Sequence, residues 1–205
     1  MFRTRILLIR HGHYERVGNL GDTGWGLTAL GRKQAAKTGK RLRELLVRDR
    51  DQLGGLFSSP WPRALETAKI AARELRMRQD SILIREYLHE VMPLVDPEVS
   101  PDYGMHPGIP VTSKQDRELT VAQVARVREA FFSTPTRTST VVLFTHGNLI
   151  RYLVTGVFKL PFEAWNRLDI AHAGITELQV FPEAFEALIT FNDTGHMPVS
   201  MITTA

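Results

Sequence analysis

Short apolar runs alternate with longer amphipathic stretches along the 205 residues of this chain. The runs are rich in Val, Ile, Leu and Phe and show little polar alternation, which is typical of strands that are buried on both faces of a sheet. The strands predicted in this way are Thr4–Ile9, Gly55–Ser58, Ile82–Arg85, Thr140–Thr145, Ile175–Phe181 and Leu188–Phe191.

Amphipathic stretches between these runs predict helices. Leucines and alanines recur at helical spacing over Ala29–Val47, and Thr28 is the predicted N-cap. Ser59 is the predicted cap of a second helix, with Pro60 at the first helical position. Proline is tolerated there, because its missing N–H costs nothing at that position. That helix is predicted to end at about Leu75. Two further helices are predicted at Thr120–Phe132 and Asn148–Phe158.

The alternation predicts an α/β fold of three layers, in which a mostly parallel sheet of about six strands carries helices on both faces. We expect residues 1–205 to form a single domain. Residues 92–118 interrupt the pattern, because they are rich in proline and glycine and lack periodicity. A loop of this length in a compact domain is usually functional, so we expect a lid or a substrate-selecting insertion there.

Composition excludes several classes of site. The chain is 43% hydrophobic and 23% charged, as in ordinary soluble domains. It has no cysteine, so disulfides, thiolate zinc sites and cysteine nucleophiles are excluded. No apolar run approaches the roughly 20 residues of a membrane helix, and the first apolar run is too short for a signal peptide. We therefore expect a cytoplasmic protein without a membrane partner.

The net charge of +4 is modest, although basic residues are dense between Arg32 and Arg50. A solvated helix face explains such a run, and no nucleic-acid-binding motif accompanies it. We expect no nucleic acid partner.

Basic side chains follow the ends of the predicted strands. Arg10 and His11 end the first strand, Arg63 follows the second and His146 follows the fourth, while Glu90 comes after the third. Ligands of parallel sheets bind at the carboxyl ends of the strands, so these side chains are expected to meet there.

The neighbouring residues fit a bound phosphate. Gly12 and Gly147 allow sharp turns and a close approach of the backbone to a ligand. The helix predicted after Gly147 directs N–H groups and a partial positive charge to the same edge. Arginine matches phosphate oxygens in bidentate fashion. The pattern predicts a phosphate cradle, and His13 is a further candidate to line its mouth.

Five segments of the chain resemble the histidine phosphatase superfamily, which includes the cofactor-dependent phosphoglycerate mutases. They are ILLIRHGHY, LTALGRKQA, SSPWPRALETA, the Leu-x-Glu of LHE, and THGNLIRYL, and they occur in family order over most of the chain. The stretches LPFEAW and ALITFNDTGHMP are similar to the branch of mitochondrial serine/threonine protein phosphatases.

The resemblance implies a role for each matching residue. His11 would accept the phosphoryl group as a phosphohistidine, so its other ring nitrogen should donate to a backbone carbonyl. Arg10, Arg63 and His146 would bind the phosphate, and a phosphate dianion should favour the charged form of His146. Glu90 would act as general acid and then as general base. No metal or cofactor is implied, and the substrate would be a phosphorylated protein or a small phosphomonoester.

Several alternatives stay open. Glu86 and Glu98 lie near enough in sequence to compete with Glu90 for the acid role. The same site would serve a sugar phosphate or a nucleotide, and mutase-type exchange is disfavoured because Val17 stands where the mutases usually have asparagine. A phosphate-binding module without catalysis is the alternative of another class. A metal site on His11 and His13 lacks a third ligand. A homodimer is the default for a soluble oligomer.

Overall fold

The computed structural model describes residues 2–15, 24–49, 52–95 and 111–204. One mixed sheet of six strands crosses these residues in the order β3-β2-β4-β1-β5-β6. Strands β3, β2, β4 and β1 are parallel, whereas β5 pairs antiparallel with both β1 and β6. The strands are β1 Thr4–Arg10, β2 Gln52–Ser58, β3 Ile82–Ile84, β4 Ser139–Thr145, β5 Ile175–Val180 and β6 Glu186–Asp193.

The mostly parallel sheet is confirmed for four strands, and the antiparallel pairing of β5 with β6 has a simple cause. Only five residues, Phe181–Phe185, connect β5 to β6. A parallel pair needs a crossover of about a dozen residues or more, so a connection this short imposes an antiparallel pair.

Helices cover both faces of the sheet, which confirms the three-layer fold. Successive side chains of β1 point to opposite faces of the sheet. Ile6 and Leu8 pack with α3 and α4, whereas Leu7 and Ile9 pack with α1 and α2. All four side chains are fully buried. The helices are α1 Ala29–Asp49, α2 Pro62–Glu74, α3 Lys114–Phe131 and α4 Gly147–Val157. None of the helices within the described residues combines the length and apolarity that a bilayer crossing requires.

Of the two predicted helix caps, one is confirmed and one is wrong. Thr28 does cap α1, since its hydroxyl accepts a hydrogen bond from Gly31 N at 3.1 Å. Ser59 does not cap α2: Trp61 is the residue before the helix and Pro62, not Pro60, is at its first turn. A proline suits either position, so composition alone left the start of the helix uncertain by two residues.

The irregular segment is shorter than predicted. Helix α3 begins at Lys114, and the Ser113 hydroxyl accepts from Asp116 N at its start, so residues 114–118 are helical. The two ends of the segment are joined, because Val95 N donates to Thr112 Oγ1 at 2.8 Å and Thr112 N donates to Val95 O at 3.1 Å. Residues 96–110, which include Glu98, lie outside the described residues, so the lid and the single-domain boundaries stay predictions.

Helix α1 crosses very close to the loop that follows β1. A Cβ atom on Gly31 would lie 2.1 Å from His13 O, and one on Gly12 would lie 2.6 Å from Gly31 O. Only two facing glycines permit this approach, which positions the loop that carries His11.

We predict that Gly31→Ala lowers the free energy of unfolding by about 2 kcal/mol, because the methyl group must displace backbone atoms. Helix propensity alone would predict a gain of about 1 kcal/mol for this substitution. Chemical denaturation measures the change. Gly26→Ala is the matched control, since its Cβ would meet only the flexible carboxylate of Glu66 at 3.2 Å, and equal stability of the two variants would contradict the crossing.

Candidate active site

Backbone hydrogen bonds fix the end of β1. His11 N donates to Thr145 O of β4 at 3.0 Å, and Gly12 N donates to Thr67 Oγ1 of α2 at 3.0 Å. From the other side, Ala173 N lies 3.1 Å from both Arg10 O and His11 O. The backbone around His11 is therefore held by three separate elements of the fold.

The His11 ring has a defined tautomer. Its Nδ1 lies 2.9 Å from Gly12 O, and since a carbonyl only accepts, Nδ1 carries the proton. Its Nε2 is therefore unprotonated, and its electron pair accepts a hydrogen bond from Arg63 Nε at 3.1 Å. Burial, followed by the charges of His146 and Arg10, lowers the pKa of His11 well below its ordinary value. The predicted donation to a backbone carbonyl is confirmed, and the ring is neutral.

Arg63 lies in the first turn of α2 and contacts two aromatic rings. Its guanidinium carbon is 4.7 Å from the centroid of Tyr14 and 4.6 Å from that of Trp61. Cation–π contacts with two rings restrict the position of the guanidinium. Trp61 thus packs against the site itself.

His146 precedes α4 and is fully buried. Its Nε2 lies 2.8 Å from Ser59 Oγ, its ring centroid is 5.1 Å from that of His11, and its Nδ1 has no hydrogen-bond partner among the described residues. Burial, followed by the charge of Arg63, lowers the pKa of His146 well below its ordinary value. Charging of His146 by a phosphate dianion stays a prediction.

Arg10 is anchored on one side only. Its Nη1 donates to Ile170 O and its Nη2 to His172 Nε2, the latter at 3.2 Å. Its Nε has no hydrogen-bond partner among the described residues, and it lies next to Gly147, where a Cβ would be 3.4 Å away. Burial lowers the pKa of Arg10 to about 10, so the side chain remains a cation at neutral pH.

Glu90 joins the site at the start of α4. Its Oε1 accepts from the backbone N–H groups of Asn148 at 3.1 Å and Leu149 at 3.3 Å. Burial raises the pKa of Glu90, while the charges of Arg10 and Arg63 oppose that rise. The carboxyl group therefore lies beside both arginines and is inclined to hold a proton, which suits a general acid. Glu86, the competing carboxylate, is exposed in a short helical turn.

His13 lies at the rim rather than among the phosphate-binding groups. Its backbone N–H donates to Gln34 Oε1 at 2.7 Å, and its Nδ1 lies 2.9 Å from Thr28 Oγ1. The half-buried ring faces His172 at a centroid distance of 5.4 Å. Within the described residues, no group of three or more His, Cys, Asp or Glu could hold a metal ion.

The sequence did not predict two members of the site, Ser59 and His172. Ser59 was assigned to a helix cap, yet its hydroxyl contacts His146. His172 precedes β5, and the amino end of a strand is not where a parallel sheet binds ligands. Because β5 is antiparallel to β1, its amino end lies at the carboxyl edge of the other strands. His172 is only 3% exposed, and its ring centroid is 5.6 Å from that of His11.

The arrangement is suited to a phosphoryl group. Arg10 Nε and His146 Nδ1 are buried polar atoms that lack a partner among the described residues, and the His146 ring lies 5.1 Å from that of His11. Such atoms are costly unless a ligand satisfies them. Two arginines and His146 can bind a dianion, and the neutral His11 can attack it.

The sequence profile of the histidine phosphatase superfamily (branch 1) matches residues 6–194. The serine/threonine-protein phosphatase Pgam5, mitochondrial, of Drosophila persimilis is 35% identical over 200 residues, and that of Drosophila melanogaster is 32% identical over 198. Each alignment covers 97% of this chain but 66% of the relative, so the chain spans about two thirds of the length of these relatives.

Solved structures share the fold. Phosphoglycerate mutase of Plasmodium falciparum superposes with a TM-score of 0.61 at 23% identity and covers 97% of this chain and 96% of its own. Phosphoserine phosphatase of Entamoeba histolytica superposes with a TM-score of 0.63 at 21% identity and covers 94% and 98%. At these identities the likeness shows the fold alone.

The expectation of a cytoplasmic protein is wrong, because the curated relatives are named as mitochondrial. That expectation rested on the shortness of the apolar runs. The length of an apolar run reports whether a segment can span a bilayer, and it carries no information about compartment.

We predict that His172→Gln makes stability less sensitive to acid. Burial, followed by the charge of Arg10, lowers the pKa of His172 to about 3. Between roughly pH 6.5 and pH 3, the histidine of the unfolded chain therefore binds a proton that the histidine of the folded chain does not bind. Stability must therefore fall as the pH falls through this window. Removal of the imidazole should reduce the slope by about 1.4 kcal/mol per pH unit.

Denaturant unfolding at several pH values between about 6.5 and 4 measures this slope. His89→Gln is the matched control, because His89 is half-buried and stacks on Trp61 at the rim of the site. A slope of wild-type size in His172→Gln would contradict the neutral, buried state of His172.

Proposed function

This chain belongs to branch 1 of the histidine phosphatase superfamily, and we propose that it hydrolyses phosphomonoesters without a metal ion through a phosphohistidine intermediate on His11. One observation carries the proposal: the unprotonated Nε2 of His11 lies among Arg10, Arg63 and His146, all of which are buried. A buried group of cations and donors around a neutral nucleophile is suited to a phosphate dianion.

Phosphate binding prepares the attack. Arg63 Nε donates to His11 Nε2, so the attacking electron pair is engaged until a phosphate oxygen takes over that N–H. Arg10 Nε, Arg63 and His146 would then bind the phosphate oxygens. Donors that are already in place stabilise charge on the equatorial oxygens without reorganisation.

The transfer proceeds in two steps. His11 Nε2 attacks phosphorus, the bond to the ester oxygen breaks, and the leaving oxygen takes a proton from Glu90. The hydrogen bond from Nδ1 to Gly12 O stabilises the positive charge that the phosphorylated ring acquires. Ionised Glu90 then takes a proton from water, the resulting hydroxide attacks phosphorus, and the bond between phosphorus and nitrogen breaks to release phosphate. Both starting protonation states are restored.

We propose phosphoserine and phosphothreonine in proteins as the substrate class. The relatives at 32–35% identity named as serine/threonine-protein phosphatases support this choice. A small phosphomonoester would use the same buried groups and is the alternative substrate class. Phosphate release from p-nitrophenyl phosphate and from a phosphopeptide compares the two classes. The homodimer remains a prediction.

His11→Ala should abolish phosphate release from p-nitrophenyl phosphate and from a phosphoserine/phosphothreonine peptide, because it removes the proposed nucleophile, while Nε2 of His172 is bound by Arg10 and Nε2 of His146 contacts Ser59. Phosphate release is measured for both proteins with chelator present. The surface variant Lys114→Ala, which changes a side chain that is 90% exposed, should keep wild-type activity. Chelator-sensitive turnover, or equal turnover in His11→Ala and wild type, would contradict the mechanism.

Glu90→Gln should impair substrates in proportion to their need for a proton. Phosphoserine has a poor leaving group, so we expect a loss of about a hundredfold in kcat/KM, whereas p-nitrophenyl phosphate should lose much less. Steady-state rates on aryl and alkyl phosphates give the comparison, with Glu86→Gln as the control. A uniform loss across leaving groups would assign Glu90 to structure or binding instead.

A further inference from the structure

We infer that His172 is a positioning residue that fixes the Arg10 guanidinium for phosphate binding, and that Thr203 in turn fixes His172. The inference rests on the proposed function, since it assigns a role within the same site. It concerns a histidine that the family motifs quoted above do not contain and that the mechanism does not otherwise use.

The contact between His172 and Arg10 has a defined direction. Arginine has only donors, so Arg10 Nη2 donates to His172 Nε2 across 3.2 Å, and Nε2 must be unprotonated. The ring proton then lies on Nδ1, which donates to Thr203 Oγ1 at 3.0 Å. A doubly protonated ring would direct an N–H at the guanidinium, and this contact would be repulsive. The low pKa of His172, about 3, agrees with a ring that stays neutral.

The tautomer of His172 is fixed by the C-terminal segment. His172 N donates to Thr203 O at 2.9 Å, so backbone and side chain of His172 both bind the same residue. Gln34 Nε2 donates to Thr203 Oγ1 at 3.0 Å and to Met201 O at 2.7 Å. Because the contact with Arg10 leaves the ring proton on Nδ1, the hydroxyl of Thr203 accepts from both Gln34 Nε2 and His172 Nδ1, which uses both of its lone pairs.

These contacts determine which nitrogen of Arg10 is available to a phosphate. Two of its nitrogens are held, Nη1 by Ile170 O and Nη2 by His172, and the remaining Nε lies beside Gly147 at the start of α4. Without the acceptor at His172, Nη2 would lose a buried partner and the guanidinium could rotate away from the phosphate. A hydrogen bond to a charged group is among the stronger ones in proteins, so its loss should be measurable.

Two substitutions at position 172 separate the two contacts. Glutamine places an amide oxygen as far along the side chain as Nε2, so His172→Gln keeps an acceptor for Arg10. Asparagine places its amide near the position of Nδ1, so His172→Asn keeps a donor for Thr203 and loses the acceptor. We expect His172→Asn to weaken the binding of inorganic phosphate and to lower kcat/KM about tenfold each, and His172→Gln to restore most of both.

The experiment measures the dissociation constant of inorganic phosphate by calorimetry and kcat/KM on p-nitrophenyl phosphate. It uses wild type, both variants, Arg10→Lys, and Arg10→Lys combined with His172→Asn. If His172 acts through Arg10, the asparagine substitution has little further effect once Arg10 is replaced, and the double-mutant cycle shows strong coupling. Additive effects would overturn the inference, as would a His172→Asn protein that binds phosphate like wild type.

The outcomes for the inference and for the proposed function are distinguishable. A wild-type protein that hydrolyses phosphate esters while His172→Asn matches it overturns the inference alone. A wild-type protein that binds phosphate without turnover overturns the proposed function, and the binding data still decide the role of His172. A wild-type protein that neither binds nor hydrolyses overturns both.

Discussion

Two arginines and three histidines are buried together with the Glu90 carboxyl at one edge of the sheet, and this crowding of basic groups governs the rest of the site. Burial is the first cause of the lowered pKa of His11, His146 and His172, and neighbouring arginines add to it. The histidines therefore stay neutral while the arginines stay charged. The result combines a neutral histidine, whose unprotonated nitrogen can act as a nucleophile, with buried arginine cations, and this combination suits phosphoryl transfer.

The fold provides rigid support for this costly arrangement. The peptide groups around His11 are hydrogen bonded to β4, α2 and the turn before β5. The facing glycines Gly12 and Gly31 bring α1 against the same loop. Buried polar side chains that lack some of their hydrogen bonds are destabilising. The surrounding helices and strands must therefore hold them in place.

The part of the site that lies on the parallel strands could be predicted from sequence. Arg10, His11, Arg63, Glu90 and His146 all follow parallel strands, and the rule for ligand position in such sheets brings them together. His172 could not be predicted in this way, because its position depends on the antiparallel direction of β5, which short apolar runs do not encode. Ser59 was missed for a local reason: one proline in Pro60-Trp61-Pro62 starts the helix, and sequence did not show which.

The formation of a phosphohistidine on His11 is the central claim, and rapid quenching under alkaline conditions tests it most directly. Wild type and Glu90→Gln would be mixed with p-nitrophenyl phosphate, quenched within milliseconds and digested for mass spectrometry. We predict one phosphoryl group on the peptide that contains His11, and a larger amount of it in Glu90→Gln, where hydrolysis lacks its base. Turnover without any phosphorylated peptide, or phosphate on another residue, would contradict a histidine nucleophile at this position.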